Sequence, residues 1–458
     1  MVDIPGCTRT RLSGWGNFPV QECDVYRPSD LEEIRLILEN AEQSDFISRG
    51  RGRSYGDAAL NQNGGVLLPN GLDRIRHWDQ NSGELVCEAA TTLSQILEYI
   101  VPRGFFLPIT PGTRHISVGG AIAADVHGKN HHRDGTISRQ LLSIRLLTAS
   151  GSVLTCSREE NSDLFWATLG GMGLTGVIVD ATLKLRRVET SYMNTCTERC
   201  RDLDDALERM ATGDRSYDYA VTWVDCLARG GSLGRSVLLR ANPARLDELP
   251  AALRAKPLSV STARSLALPF SLPSGLLNPH TMRLFNAAIY RAFRNRTGVV
   301  GYDRYFYPLD RIGNWNRIYG RRGVLQYQLV LPAAKARQGL VEILERTSRD
   351  RSGSFLAVLK STGPANEAPL SFPLEGISLA LDFPNHGPSL LETIRRLDQI
   401  VLKCGGRVYL AKDSTLRPED FATMYPRLEE FQEIKARHDP DTRFSSSLAR
   451  RLRIVDAN

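Results

Sequence analysis

The sequence predicts an α+β protein built in two parts, on three observations. The chain has 458 residues, more than one hydrophobic core normally serves. Up to about residue 190, short apolar runs alternate with helix-period runs, the pattern of an α+β nucleotide-binding unit. Residues 191–408 then carry strand-period segments separated by helices, which read as an antiparallel sheet with flanking helices.

The elements follow in order. Ser29-Asp30-Leu31-Glu32 reads as a capping box, Ser29 as N-cap and Glu32 three residues on. It opens a helix with Leu31, Ile34, Ile37, Leu38 and Ala41 on its apolar face. Phe46 to Ser48 is a buried strand, Val66 to Pro69 a short one, and Glu84 to Ala89 an alternating one. Leu93, Ile96, Leu97 and Ile100 mark a helix that Pro102 and Gly104 stop. Leu141 to Leu154 forms a hairpin turning at Ser150-Gly151, then a short helix over Asp163–Ala167. A glycine-rich stretch, Gly170–Gly176, leads into the strand Val177–Val179. The second part offers strands at Tyr219–Val224, Val237–Arg240, Gly323–Val330, Phe355–Leu359 and Ile377–Phe383, and a helix over Ala334–Arg349. The tail begins with a strand at Val408–Leu410.

Composition narrows the class. Hydrophobic residues make up 42% and charged residues 24%, as in ordinary globular enzymes. The net charge of +7 favours anionic partners or simply keeps the surface solvated. No concentrated basic and aromatic stripe accompanies it, so nucleic acid is not expected. The eight cysteines are scattered, with no Cys-x-x-Cys, and read as reduced and free of metal. Met1 to Gly6 has no basic start and no apolar run, so no secretory signal is expected. No apolar run is long enough to span a bilayer. The expected location is cytoplasmic. Ser265 to Met282 is proline-rich, apolar and free of acids, and Arg283 to Arg296 carries four arginines among Leu, Phe, Ile and Tyr. Together they suit peripheral contact with a membrane; a helix packed on its own domain is the plain alternative.

Two glycine-rich walls point to a ligand. The first is Ser48-Arg49-Gly50-Arg51-Gly52-Arg53-Ser54-Tyr55-Gly56-Asp57. Such a turn lets the backbone approach a ligand, and its successive N–H groups hold an anion. The second is Pro111-Gly112-Thr113-Arg114 with Val118-Gly119-Gly120-Ala121-Ile122-Ala123. Two such walls suit a diphosphate with a long flat body, the shape of FAD. The first loop resembles the pyrophosphate loop of vanillyl-alcohol-oxidase type FAD-dependent oxidoreductases. It is neither a Rossmann fingerprint nor a Walker loop.

Candidate chemistry follows the second wall directly. His127-Gly128-Lys129-Asn130-His131-His132 concentrates three of the eight histidines. A metal site would need acidic or Cys ligands that are not nearby. The better reading sets His127 and Lys129 against flavin and substrate. Lys412, in Leu410-Ala411-Lys412-Asp413-Ser414, is a further cation on a predicted strand end. Gln326 and Gln328 flank Tyr327 and share one strand face, which meets either a polar ligand or solvent.

Arg49–Asp57, Pro111–Arg114, Val118–His132, Leu164–Gly176, Leu325–Gln328, Pro369–Pro373 and Tyr409–Ser414 together resemble the decaprenylphosphoryl-β-D-ribose 2′-oxidase family. The similarity runs from Ser13–Gly16 to Ala449–Leu452, and His-Gly-Lys-Asn-His-His and Ala-Lys-Asp-Ser are its specific motifs. The resemblance implies an FAD-binding domain over 1–190, completed by the C-terminal return 409–458, with a substrate-binding domain inserted at 191–408. It implies oxidation of the ribose 2′-hydroxyl of a polyprenyl-phosphoryl ribose to a 2′-keto sugar. A separate short-chain NAD(P)H-dependent keto-reductase would then complete an epimerisation to the arabinose form. Residues 48–58 would hold FAD, namely Arg49, Gly50, Arg51, Gly52, Arg53, Ser54, Tyr55, Gly56 and Asp57 within them. Gly112, Thr113, Ser117, Val118, Gly119, Gly120, His127, Gly128, Asn130, Ile178 and Tyr409 would join them. Lys129, Arg317, Gln326, Gln328, Lys360 and Ser378 would bind substrate, and Lys412, His127 and Tyr55 would be catalytic. A lysine or histidine held partly desolvated can serve as the base; Lys412 comes first and His127 next. Many relatives bond FAD covalently through a histidine in the first loop; Arg53 stands there, so non-covalent FAD is expected. Ala380 replaces a cysteine of the mycobacterial members, which predicts insensitivity to covalent nitro-aromatic inhibitors. Ser378 replaces an asparagine and leaves the identity of the sugar or lipid open. The alternatives are an FAD enzyme acting on another sugar, an aldonolactone or a small alcohol, and a non-catalytic FAD or lipid binder, against which Lys412 and His127 both argue.

Overall fold

The computed structural model describes residues 6–260, 266–273, 275, 277–350, 352–353 and 355–455. Most of the Met1–Gly6 reading and, within the proline-rich stretch, residues 265, 274 and 276 lie outside them. Three sheets set the architecture. The first holds β1 (Thr8–Ser13), β2 (Val20–Tyr26), β3 (Phe46–Ser48) and β4 (Gly65–Leu67) in the order β1-β2-β4-β3. β1 and β2 are antiparallel, while β4 runs parallel to both β2 and β3. The crossover from β2 to β3 is helix α1 (Leu31–Asn40), which buries Ile34, Ile37 and Leu38. Its cap sits one residue later than the sequence suggests. Asp30 accepts from the Glu33 N–H at 3.0 Å, and Glu33 reaches back to the Ser29 N–H at 2.6 Å. Glu32 is taken instead by Arg35, 2.6 Å away.

The second sheet is antiparallel, in the order β5-β6-β9-β7-β8. Its strands are β5 (Ile75–Asp79), β6 (Glu84–Glu88), β7 (Leu141–Leu147), β8 (Val153–Ser157) and β9 (Val177–Lys184). The β7–β8 hairpin turns at Ser150-Gly151 as expected. α2 (Leu93–Ile100) starts at a Thr92–Gln95 capping box and ends before the left-handed Gly104. α3 (Val118–Ala123) is short and capped by Ser117.

The third sheet has eight strands. Along the chain they are β10 (Tyr192–Cys200), β11 (Tyr219–Val224), β12 (Ser236–Pro243), β13 (Arg296–Gly301), β14 (Val324–Pro332), β15 (Ala357–Thr362), β16 (Gly376–Pro384) and β17 (Arg407–Val408). Their spatial order is β13-β10-β12-β11-β15-β16-β14-β17. Helix α4 (Pro279–Ala292) lies between β12 and β13 in sequence, α5 (Ala333–Asp350) follows β14, and α6 (Pro388–Lys403) follows β16. α5 and α6 cover one face, where Tyr327 donates to Asp398 of α6 at 2.8 Å. The other face carries Gln326 and Gln328.

Three readings change. β10 and β13 escape the sequence, because polar residues occupy both faces of each. The strand expected at Phe355–Leu359 begins only at Ala357. β17 stops at Val408: the N–H groups of Lys412 and Asp413 both turn back to the Tyr409 carbonyl, so Lys412 sits on a turn. The tail then rejoins the first sheet, where Phe444 pairs beside Phe46. None of the eight cysteines is joined in a disulfide. Among the described residues, no helix is long and apolar enough to cross a membrane.

Candidate active site

A cavity of about 1680 Å³ lies between the loops that follow the first sheet and the face of the third sheet that carries Gln326 and Gln328. Its first wall is the Gly50–Tyr55 loop. Gly52 takes φ +62°, and the Arg49 guanidinium fills the space a side chain there would need. Among the described residues, the peptide N–H groups of Gly50 to Ser54 make no hydrogen bond, whereas those of Arg49 and Tyr55 bond Leu67 and Ala411. Successive unpaired amides of this kind form an anion cradle. The Arg53 guanidinium lies 3.9 Å from the Trp15 ring. Gly112, Thr113, Ser117 and Gly120 form the facing wall.

At the inner end converge His127, Gly128, Lys129, Gln326, Gln328, Lys360, Tyr409 and Lys412. The Lys412 ammonium lies 4.1 Å from the Tyr55 ring centroid. Burial pulls its pKa down to about 8, against the pull of Asp382. Burial likewise lowers Lys360 to about 8, and Lys129, with Lys360 adding, to about 7. Lys129 donates to the Tyr305 carbonyl and stands 4.3 Å above that ring. Burial, then the lysines and His131 around it, hold His127 neutral, well below its usual range. Its Nε2 lies 2.9 Å from the Gln328 amide nitrogen. With that amide as donor, Nε2 is the acceptor and the proton sits on Nδ1, which is buried and unpartnered. The other two histidines of the motif go elsewhere: His131 accepts from the Gly363 N–H, and His132 meets the Tyr217 carbonyl.

Several expected site residues face away from the cavity. The Arg49 guanidinium donates to the carbonyls of Ser13 and Ala59, behind the loop. Gly56 packs on the Asp413 carbonyl, and Asp57 pairs with Arg451 at 2.8 Å. Val118 and Gly119 return their N–H groups to Thr91 and Ala89. Asn130 donates to the Pro108 carbonyl and Asp134, and Ile178 is buried in the second sheet. Arg317 does not reach the site, since its guanidinium binds the carbonyls of Leu268 and Pro269, each at 2.7 Å. Ser378 is buried and meets the cavity only through Gln328, 3.3 Å away. Each of these shapes the wall from behind.

One carboxylate was missed. Asp382 accepts from Gln326 at 2.6 Å and from the Tyr319 hydroxyl at 2.9 Å, and burial raises it to about 6. The two-residue period that puts Ser378 and Ala380 on one face puts Asp382 there too. The outer end is different in kind: Met282, Phe285, Ile289, Leu309, Ile312 and Phe355 line it. Phe285 and Ile312 are also part-exposed, so they mark the mouth.

An amide cradle opening onto a buried, cation-rich pocket defines a flavin-dependent oxidoreductase, and FAD fits it. The FAD binding domain family matches residues 24–157, and the D-arabinono-1,4-lactone oxidase family matches residues 383–452. The decaprenylphosphoryl-β-D-ribose oxidase of Mycolicibacterium smegmatis is 40% identical, with 99% of each chain covered. An uncharacterized Streptomyces coelicolor protein from the mprA 5′ region is 38% identical over 79% of this chain and 99% of its own. The L-gulonolactone oxidase of Scyliorhinus torazame is 31% identical over 43% of this chain and 46% of its own. The chain belongs to the decaprenylphosphoryl-β-D-ribose oxidase family. It is an FAD-dependent oxidoreductase of the α+β type the sequence predicts.

Proposed function

We propose that this enzyme oxidises the ribose 2′-hydroxyl of a polyprenyl-phosphoryl-β-D-ribose to the 2′-keto sugar, the first half of an epimerisation to the arabinose form. The observation that carries this is the cavity's two-ended character. Three part-buried lysines and two amides suit a phosphorylated sugar, and an apolar mouth suits a lipid chain. Lys129 and Lys360 bind the phosphate through charge-assisted hydrogen bonds. Gln326 and Gln328 orient the sugar hydroxyls. FAD, when bound, supplies the hydride acceptor, and Arg53 in place of a loop histidine supports non-covalent binding.

Lys412 takes the hydroxyl proton. A pKa near 8 leaves part of it neutral at physiological pH, as a general base requires. His127 is the weaker candidate, because its basic Nε2 is occupied by Gln328. Its Nδ1–H is buried and carries no partner among the described residues, and Tyr55 holds the Lys412 ammonium over its ring. The sheet boundaries support a cofactor part at 1–190 with 409–458 and a substrate part at 191–408. Eight cysteines outside any disulfide support a cytoplasmic placement, and the 2′-keto product calls for an NAD(P)H-dependent keto-reductase as partner. Peripheral membrane contact would bring the mouth to the lipid.

Anaerobic titration with a polyprenyl-phosphoryl ribose tests the reading. Stoichiometric bleaching of the visible flavin absorbance is expected. The match of residues 383–452 to the D-arabinono-1,4-lactone oxidase family favours one second reading, an aldonolactone oxidase. Bleaching by the lactone and not by the lipid-linked ribose would establish it.

A further inference from the structure

Between Glu248 and Asp303 the sequence holds six arginines, one lysine and no acidic residue. That stretch alone carries as much positive charge as the chain nets, +7. The fold sorts it by position. α4 turns Met282, Phe285 and Ile289 into the cavity. Its C-terminal end and the end of β10 frame a second pocket of about 380 Å³, lined by Arg199, Arg201, Tyr290, Arg291, Arg294 and Asn295.

Polar contacts hold this pocket open. Asn295 accepts from the Arg199 N–H at 2.8 Å, and the Tyr290 hydroxyl donates to the Cys200 carbonyl at 3.2 Å. The Arg199 guanidinium lies 5.3 Å from the Tyr290 ring centroid. Arg201 leans on Asp205 at 3.5 Å. Among the described residues, no carboxylate lies within ion-pair distance of Arg199, Arg291 or Arg294. Guanidinium groups without a carboxylate partner around a polar concavity match a phosphate.

Beside the pocket lies an apolar rim. Leu284 shares a face of α4 with Arg291, about 10.5 Å away along the axis, and is 73% exposed. Leu266 and Phe270 are 85% and 65% exposed. Leu266 pairs with Ile312, which lines the mouth of the large cavity. Exposed apolar side chains near one mouth, next to a basic pocket whose Arg291 and Arg294 have no carboxylate partner among the described residues, are complementary to an anionic bilayer.

We propose that this face docks on an anionic phospholipid membrane. The arginine pocket holds a phosphodiester headgroup while Leu266, Phe270 and Leu284 enter the interface beside the cavity mouth. This deepens the lipid-linked substrate reading and rests on it for its purpose. Its test needs no substrate, so the two can fail separately.

The experiment is flotation of the holoenzyme with vesicles of phosphatidylcholine alone or of equimolar phosphatidylcholine and phosphatidylglycerol. Binding only to the anionic vesicles is expected. Each arginine near an anionic surface contributes about fivefold in affinity, so Arg291→Gln/Arg294→Gln lowers binding about twenty-five-fold. Leu266→Ser/Phe270→Ser lowers it as well. Arg395→Gln/Arg396→Gln, on α6 across the sheet, removes the same charge and leaves binding near wild type. Flavin absorbance reports folding of each variant, and Arg294→Gln alone serves if the double variant fails to fold. No preference for anionic vesicles, or equal losses from the two arginine pairs, would overturn the proposal. So would inorganic phosphate binding at the pocket as tightly as the vesicles do, since the site would then serve a soluble anion.

Discussion

Lys412 is asked to be a base while surrounded by positive charge, and the balance of its neighbours decides whether it can be. Burial, with Lys360 adding, favours the neutral amine; Asp382 favours the ammonium. Lys412→Ala should cut kcat by roughly 10²–10⁴-fold with the flavin spectrum intact. A rate within threefold of wild type would remove Lys412 from the chemistry. The pH dependence has a definite sign. kcat/KM should rise as Lys412 loses its proton toward pH 8. The proposed phosphate ligands Lys129 and Lys360, near 7 and 8, lose their charge over the same range, so the maximum should be confined to a narrow band between about pH 7 and 8. Asp382→Asn removes the charge that raises Lys412, so the ascending limb should move to lower pH. An unmoved limb would show that Asp382 only buttresses Gln326. Which residues cluster here was legible from motif chemistry, but which way each points was not. Arg317 and Arg53 are both arginines in suggestive company. Only backbone carbonyls brought from 49 and 48 residues away decide that Arg317 faces outward. Asp382 was hidden because its partners Gln326 and Tyr319 are 56 and 63 residues distant in sequence.

Two neighbouring glycine walls look equivalent in sequence, and the turns they form are not. A Cβ on Gly56 would lie 1.7 Å from the Asp413 carbonyl oxygen, whereas one on Gly112 meets nothing within 4 Å. Gly56→Ala therefore has to push the first loop away from the turn that carries Lys412. Overpacking of this kind costs about 1–3 kcal/mol and should also lower flavin content. Gly112→Ala should keep both stability and flavin. The comparison is read from thermal midpoints and the flavin-to-protein absorbance ratio; equal behaviour of the two variants would refute it. At this scale, elements with one buried face were legible. Tyr219–Val224 emerged with its sequence bounds, and α5 began one residue earlier. β10 and β13 were not, since Thr, Asn, Glu and Arg lie along them and their pairing depends on each other and on β12. The cap of α1 shifted because Glu32 and Glu33 compete, and Arg35 captures one of them.

The whole molecule depends on how the tail closes over the first loop. Arg451 donates to Asp57 at 2.9 and 2.8 Å and to Asp413 at 2.8 Å, so one guanidinium links the loop, the turn that carries Lys412 and the C-terminal segment. Nearly 400 residues separate Asp57 from Arg451, and no local pattern announces the pair. That is why Asp57 read as a cofactor ligand. Both carboxylates are buried, and Arg451 is held firmly charged by them. Removing one partner of a buried ion pair costs about 3–5 kcal/mol, because the carboxylates left behind remain desolvated. Arg451→Met should therefore lower the thermal midpoint and also release FAD, since the Gly50–Ser54 amides lose the tie that sets the loop against the tail. Arg451→Lys restores the charge but not the forked geometry, and should recover only part of both. A control separates closure from stability in general. Lys435 is a more deeply buried cation of the tail that bonds Asp439 and the Leu174 and Phe444 carbonyls, none of them in the loop. Lys435→Met should lower the thermal midpoint comparably while FAD, at temperatures below that midpoint, stays bound. If the two variants released FAD alike, the link from Arg451 to the cradle would be no more than global stability.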